Sequence, residues 1–492
     1  MKQWLQRLLC VGAAASALLT AVGCGTNFRS AKTALDPKSP VTVTVWNYYN
    51  GDQLAAFNRL VEKFNTTVGG ELGVVVLSVS QGDINTLANE LLDSVAGKAG
   101  AQETPTLAAV YAETGYILQQ QGALSAMDPY FTDEELSAYI PGFLSEGRFD
   151  EGNDLMLFPF CKSTEIFTAN ATDWAAFATA TGITLESIQT VEDLTAAAAA
   201  YYNWTDSLTP DVAEDGKALY GRDSIANYIY LGCRQLGHTL FTVDNGNLTV
   251  DMDRDTFRTL WDNYYIPYIN GYFSSYGRFR SDDAKTGKIL ALTASSSGMC
   301  YLPTQVTEED DEIHDITLYS RAPLPFANAV TDSVVQQGAG FCLLKGSAGE
   351  QEGAAAFLKW ITQPEQNLSF SLMSGYSPVT LEANSKEAIE AAYHGDMSTQ
   401  KGQLILNTLL LSADLFSSQD TYNTRPFSGS KDVRSLLEDT MQKIAASDRA
   451  AVVKKLQAGI SRRDAVAPYA SDAYFDAWFQ SLQAQVLELT QP

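Results

Sequence analysis

The sequence predicts an α/β protein of two lobes, each a mainly parallel sheet flanked by helices. Between residues 41 and 121, runs with the period of a strand alternate three times with runs of helical period. The chain has 492 residues, more than one core of ordinary size accommodates. Hydrophobic residues at 45% and charged residues at 18% describe a packed globular protein rather than a disordered or fibrous one.

The elements follow in order. Val41, Val43 and Val45 alternate with Thr42, Thr44 and Trp46, which marks a strand. Leu54, Phe57, Leu60, Val61 and Phe64 then recur at helical spacing. Residues 73–79 read as a buried strand, and Ile84, Leu87, Leu91, Leu92 and Val95 as a second amphipathic helix. A third strand over 106–111 precedes a short helix near 116–121. Parallel strands need crossover connections, and helices of this length supply them. A crossover between lobes is expected at 155–160. Helical segments dominate from about 191 to 266 with no clear strand among them. Residues 289–293 and 339–344 look like later strands, and 350–361 is a helix with Ala354, Phe357, Leu358 and Ile361 on one face. The C-terminus is helical again, with one stripe of Val433, Leu436, Leu437, Met441 and Ile444 and another over 474–489. No internal repeat is visible.

Ahead of the first strand, Lys2 and Arg7 precede the apolar run 8–21. About fourteen apolar residues are too few to span a bilayer, so this reads as an export signal. Ala21-Val22-Gly23-Cys24 resembles the lipobox of bacterial lipoproteins, with Ala21 where Leu is usual. The resemblance implies removal of 1–23 and a diacylglyceryl thioether on Cys24; the competing reading is an ordinary cleaved signal with an incidental cysteine. Residues 24–40 read as a flexible tether. No second apolar stretch is long enough to span a membrane, so the lipid would be the sole anchor, on the outer face of the cell membrane or its periplasmic side. A net charge of -25 argues against a nucleic-acid or anionic-membrane surface. Beyond the leader, Cys161, Cys233, Cys300 and Cys342 sit in apolar segments without C-x-x-C spacing, which favours buried free thiols over two disulfides.

Five segments, in order, resemble the extracellular solute-binding proteins of bacterial ABC importers, in their carbohydrate-type class. They are Thr104-Pro105-Thr106-Leu107-Ala108-Ala109-Val110-Tyr111; Gln121-Gly122-Ala123-Leu124 with Met127-Asp128-Pro129-Tyr130; Phe158-Pro159-Phe160-Cys161-Lys162-Ser163-Thr164-Glu165; Gln336-Gln337-Gly338-Ala339-Gly340-Phe341; and 354–364 with Gly375-Tyr376-Ser377-Pro378-Val379. The third is similar to the family's first hinge crossing and the fourth to its return crossing. Phe167-Thr168-Ala169-Asn170 departs from the family's pattern, where aromatic residues usually precede the Asn; this leaves ligand type open. The resemblance implies a two-lobe periplasmic-binding-protein-like fold with a hinge and a central cleft. The first lobe would hold 41–160 and 338–380, the second 161–337 and 381–492. It also implies a monomer with no cofactor and no catalytic residues, binding a small solute, most readily a sugar or oligosaccharide, for an ABC permease. Gly338 and Gly340 would absorb backbone change as the hinge moves.

Sugar recognition requires flat apolar faces for C–H surfaces and planar polar groups for hydroxyls. At the carboxyl end of the first strand stand Trp46, Tyr48 and Asn50, and after the third strand Tyr111 and Glu113. Ser163, Thr164 and Glu165 follow the hinge strand. Asp223 and Asn227 lie at a helix start, Ser296 and Ser297 after a later strand, and Arg425 and Phe427 before a C-terminal helix. Gln337, Gly338 and Tyr376 complete the set through the resemblance. Each has a structural role in competition: the aromatics could pack beneath helices, and the hydroxyls and carboxylates could cap them.

Enzymatic chemistry finds no support. His238, His314 and His394 show no metal-ligand spacing, and no G-x-S-x-G elbow occurs. Ser428-Gly429-Ser430-Lys431 and Lys285-Thr286-Gly287 match two strings of penicillin-recognising enzymes, in reversed order. Asp251, Asp253 and Asp255 begin like a calcium loop, but Thr256 stands where its turn needs Gly, so a helix cap before Phe257 is the better account. A surface carbohydrate hydrolase and a ligand sensor for a signalling partner remain the alternatives to a transport receptor.

Overall fold

The structure is a computed structural model describing residues 33–491 apart from 150, 151, 245, 309, 310 and 396. The export signal, Cys10 and Cys24 lie outside the described residues. Part of the expected tether does not: Thr33 and Ala34 hydrogen-bond Glu352, and Leu35 packs against the first core, so 33–40 is tied to the lobe. Among the described residues, no helix is long and apolar enough to cross a membrane.

Two α/β lobes are present. In the first, strands Val74–Ser80, Val41–Asn47, Leu107–Val110, Gly340–Leu343 and Phe158–Pro159 lie side by side in that order. The first three are parallel, as their helical crossovers require, and the last two run antiparallel to their neighbours. The two-residue period of the strand Val41–Asn47 divides its side chains between two cores. Val43 and Val45 meet Phe57, Phe64 and Phe357 on one face, whereas Trp46 meets Leu87 and Leu91 on the other. The helix Ile84–Val95 that covers this second face begins at Asp83, whose carboxylate accepts the N–H groups of Asn85 and Thr86, both at 3.0 Å.

In the second lobe, strands Leu318–Arg321, Glu165–Asn170, Ala291–Ser295 and Tyr220–Arg222 form one sheet. Only the last pair is parallel, so the expectation of a mainly parallel sheet fails in this lobe, because the strand Glu165–Asn170 runs antiparallel to both of its neighbours. The strand Tyr220–Arg222 falls inside the stretch expected to be helical. It has only three residues, too few for a period-2 pattern to show. Helices Val191–Ser207, Ile225–Gln235, Arg254–Asn270, Ser430–Gln457 and Asp472–Leu489 bury the lobe's aromatic core, including Trp261, Tyr265, Phe475 and Trp478. Asp253 caps the helix Arg254–Asn270 by accepting the Thr256 N–H at 2.8 Å, so the acidic run there is a helix start. All four described cysteines are free thiols; Cys161, Cys233 and Cys342 are buried and Cys300 half-buried.

Three segments cross between the lobes and bond to one another. Ser163 and Gln337 exchange backbone hydrogen bonds of 2.8 and 2.9 Å, and Val334–Val335 pairs with Thr421–Tyr422. The third crossing, expected between 380 and 381, lies near Asp420 instead. It follows because 381–418 does not sit with the second lobe alone: Ala383, Ile389, Leu409 and Ala413 pack on Leu368, and Phe416 enters the first core, while Leu404 reaches Leu292 and Met299.

Candidate functional site

At the crossings a small cavity opens between the lobes. The first lobe contributes Tyr111, Glu113 and Glu146, the second Asn227, Tyr230 and Arg434, and the crossings Gln336, Gln337, Gly338 and Tyr422–Thr424.

Local structure accounts for each position. Tyr111 directly follows the third strand and precedes the helix Ala112–Gln120, which brings it and Glu113 to the sheet's carboxyl edge. On the opposite side, Glu438 accepts the N–H groups of Ile225 and Ala226 at 2.9 and 3.0 Å and the Ser224 hydroxyl at 2.8 Å. A carboxylate at the positive end of a helix fixes that end, and residues three apart share a face, so Asn227 and Tyr230 line the cavity together. Arg434, one turn before Glu438, donates to the Asn227 side-chain oxygen at 2.9 Å. Burial opposes the Arg434 charge, but Glu113 and its other neighbours outweigh it and raise its pKa above the ordinary value. Gly338 has φ +107, and a Cβ there would stand 2.9 Å from the Cys161 carbonyl oxygen, so only glycine fits this crossing without strain. At Gly340 a Cβ would meet Leu157 Cγ at 2.7 Å.

Of the expected residues, Tyr111, Glu113, Asn227, Gln337 and Gly338 come together in this cavity. Asn227 is already committed, since its amide donates to Glu165 at 3.1 Å and to Gln337 at 2.9 Å. Glu165 is buried beneath it and ion-paired with Arg222, which makes it a support for the site rather than a lining group. Ser163 and Thr164 are buried in the crossing, Ser163 through its backbone pairing. Asp223 is tied to Arg280, whose N–H donates to it at 2.8 Å; burial raises its carboxyl to about 6.

Tyr48, Tyr376, Ser296 and Ser297 form a second group where the lobes already touch. The Tyr48 and Tyr376 hydroxyls meet at 3.1 Å, and the Gln53 amide bridges Ser374 and Ser297 carbonyls at 3.2 and 3.4 Å. The Ser296 hydroxyl accepts the Thr164 N–H at 3.3 Å inside the protein. Asn50 is exposed and precedes the helix Gly51–Thr66 without a side-chain cap. Arg425 donates to the Phe149 carbonyl across the lobes at 3.1 Å and lines a separate depression with Arg148 and Asn153.

Two expected aromatic contacts are not placed in the cavity. Trp46, 2% exposed, points across the sheet onto Leu87 and Leu91, because alternation turns it under a helix before the strand ends. Phe427, 5% exposed, packs on Phe241 with ring centroids 5.0 Å apart, at the edge of a wider groove lined by Leu92, Tyr116 and Lys431. Glu146, Tyr230, Tyr422 and Arg434 had no signal in sequence, since each lies on a helix or crossing with no motif of its own.

No curated protein matches the sequence significantly. Among solved structures the fold is similar to the cyclic alpha-maltosyl-1,6-maltose binding protein of Arthrobacter globiformis, at 17% identity over 91% of this chain and 99% of that one, with TM-score 0.62. It is also similar to UgpB of Mycobacterium tuberculosis in complex with glycerophosphocholine, at 15% identity over 92% and 98%, TM-score 0.64. A third is the maltose/maltodextrin-binding domain MalE of Bdellovibrio bacteriovorus bound to maltotriose, at 13% identity over 91% and 100%, TM-score 0.59. At these identities the likeness concerns the fold. The family profile of bacterial extracellular solute-binding proteins matches residues 59–395, more than half of the sequence, and with the two lobes and their cleft this places the chain in that family.

Proposed function

We propose that this protein is a lipid-tethered receptor that encloses a sugar or oligosaccharide between its lobes and delivers it to an ABC permease. The observation that carries this reading is the cavity itself, where the exposed ring of Tyr111 stands beside carboxylate, amide and guanidinium groups and the largely buried Tyr230 backs the opposite wall. Aromatic faces suit the C–H surfaces of a sugar ring, and the polar groups answer hydroxyls that would otherwise cost about 1 to 3 kcal/mol each when buried. In the lining Glu113 faces Arg434, and Glu146 is already paired with Lys162, so no net positive charge is offered, which favours an uncharged solute over an anionic one. Two of the similar structures are named for maltose-type ligands.

A thermal-shift screen with malto-oligosaccharides and glycerophosphocholine tests this. At 100 times its dissociation constant a bound sugar adds about 2.7 kcal/mol of apparent stability. Tyr111→Ala is expected to weaken that sugar by roughly 2 kcal/mol while leaving the unliganded melt unchanged, because Tyr111 is 37% exposed. A response to glycerophosphocholine alone overturns the substrate class, and product accumulating with time overturns the receptor in favour of a hydrolase.

The tether is tested apart from the ligand. Cys24→Ala is expected to abolish labelling by a lipid precursor and release the protein from membranes, since two acyl chains hold firmly where one holds marginally. Unchanged retention of the variant removes the lipid from the proposal.

A further inference from the structure

We propose that Asp173, Glu308 and His314 form a divalent-cation site on the second lobe, suited to zinc rather than calcium or magnesium. A carboxylate oxygen of each acid and a ring nitrogen of His314 all lie within 4.8 Å of one another, the one such trio among the described residues.

The local structure explains how they meet. His314 lies opposite Val306 in the hairpin of Gln305–Thr307 with Ile313–Asp315. Glu308 stands two residues after Val306, which period-2 alternation assigns to the same face. Asp173 sits in the first turn of the helix Ala171–Thr181, and the Asn170 amide donates to its carboxylate at 2.6 Å. His314 Nε2 faces both Asp173 oxygens, at 2.9 and 3.1 Å. A neighbour that aligns a ligating carboxylate is a recurrent part of metal sites, and Asn170 fills that role here.

Distances and chemistry agree on the ion. Ligands about 2.0 to 2.1 Å from tetrahedral zinc stand roughly 3.4 Å from one another, so a small contraction of the trio suffices. One imidazole and two carboxylates suit zinc, whereas calcium and magnesium take oxygen ligands in larger number. The side chains of Asp173, Glu308 and His314 are 25%, 32% and 37% exposed, which leaves a path for the ion and a fourth position for water. Lys217 Nζ, 3.8 Å from Glu308, is 56% exposed and can swing into solvent as the metal replaces it. The site is separate from the cleft: Asp173 follows the strand Glu165–Asn170 at the end opposite Glu165, roughly 17 Å along the strand. Its effect is to staple the hairpin to the start of the helix.

Full-length protein stripped with EDTA is titrated calorimetrically with zinc chloride. One zinc per chain is expected, with a raised melting temperature, and cobalt in its place should show the visible absorption of a tetrahedral centre. His314→Ala and Glu308→Gln should each lose the zinc response while melting like the parent in EDTA, which separates lost binding from lost folding. Asn170→Ala should weaken zinc about tenfold or more. The proposal is overturned if the parent takes up no zinc saturably, if His314→Ala binds it unchanged, or if calcium binds equally well.

Discussion

Trp46→Ala is expected to lower the stability of the unliganded protein by about 3 to 5 kcal/mol, the usual cost of emptying an aromatic position in a core. The indole is 2% exposed between the sheet and the helix Ile84–Val95, in contact with a cluster that includes Leu87, Leu91, Ala108 and Val110. Protein that remains folded should bind its solute with unchanged affinity, because the ring does not line the cavity. Urea denaturation of the free protein and calorimetric titration of the folded protein make the comparison. Reduced affinity with intact stability would return Trp46 to the cleft. Tyr111→Ala should behave in the opposite way, and the two variants together separate core from lining.

Lys162→Met is the second variant with a large expected effect. Lys162 is 1% exposed, and its ammonium pairs with Glu146 and donates to the Gly338 carbonyl oxygen at 2.8 Å. Glu146 in turn accepts from the Gln336 amide at 2.6 Å, so one buried ion pair ties the first lobe to two crossings. Removing the lysine strands a carboxylate that is 8% exposed, and breaking such a pair typically costs about 3 to 5 kcal/mol. Lys162→Met with Glu146→Gln should recover most of the loss, since neither charge is then left alone. A cycle of the two single variants and the double variant, read by urea denaturation, measures the coupling. Additive losses would mean that the pair is not coupled, and that Lys162 acts through its hydrogen bond to the Gly338 carbonyl oxygen.

Much of the first lobe was legible because its signals are local. Alternating Val and Thr marked the first strand and the spacing of Phe57, Leu60 and Phe64 marked the helix that follows, whereas the crossing at Gly338 came only through the family resemblance of residues 336–341. Tyr111 and Glu113 could be placed in the cleft because a loop at the carboxyl edge of a parallel sheet faces the crevice. Trp46 could not be separated from them, because one position along a strand decides which face a side chain takes, and composition alone cannot supply that register.

What the sequence determined by itself is therefore the fold class, the order of most elements and the family resemblance, all of which rest on periodicity and short motifs. Only the tertiary structure decided the site. Arg434 and Glu113 are far apart in the chain and share a cavity because the helix Ser430–Gln457 packs against the second lobe with its first turns toward the cleft. His314 has no ligand-like spacing in sequence, yet a hairpin and a helix start bring it to Asp173. The third crossing near Asp420 exists because the helix Gln400–Ser418 inserts Phe416 into the first core. Each depends on contacts between distant segments, and the energy of such contacts resides in packing and charge pairing that no local pattern encodes.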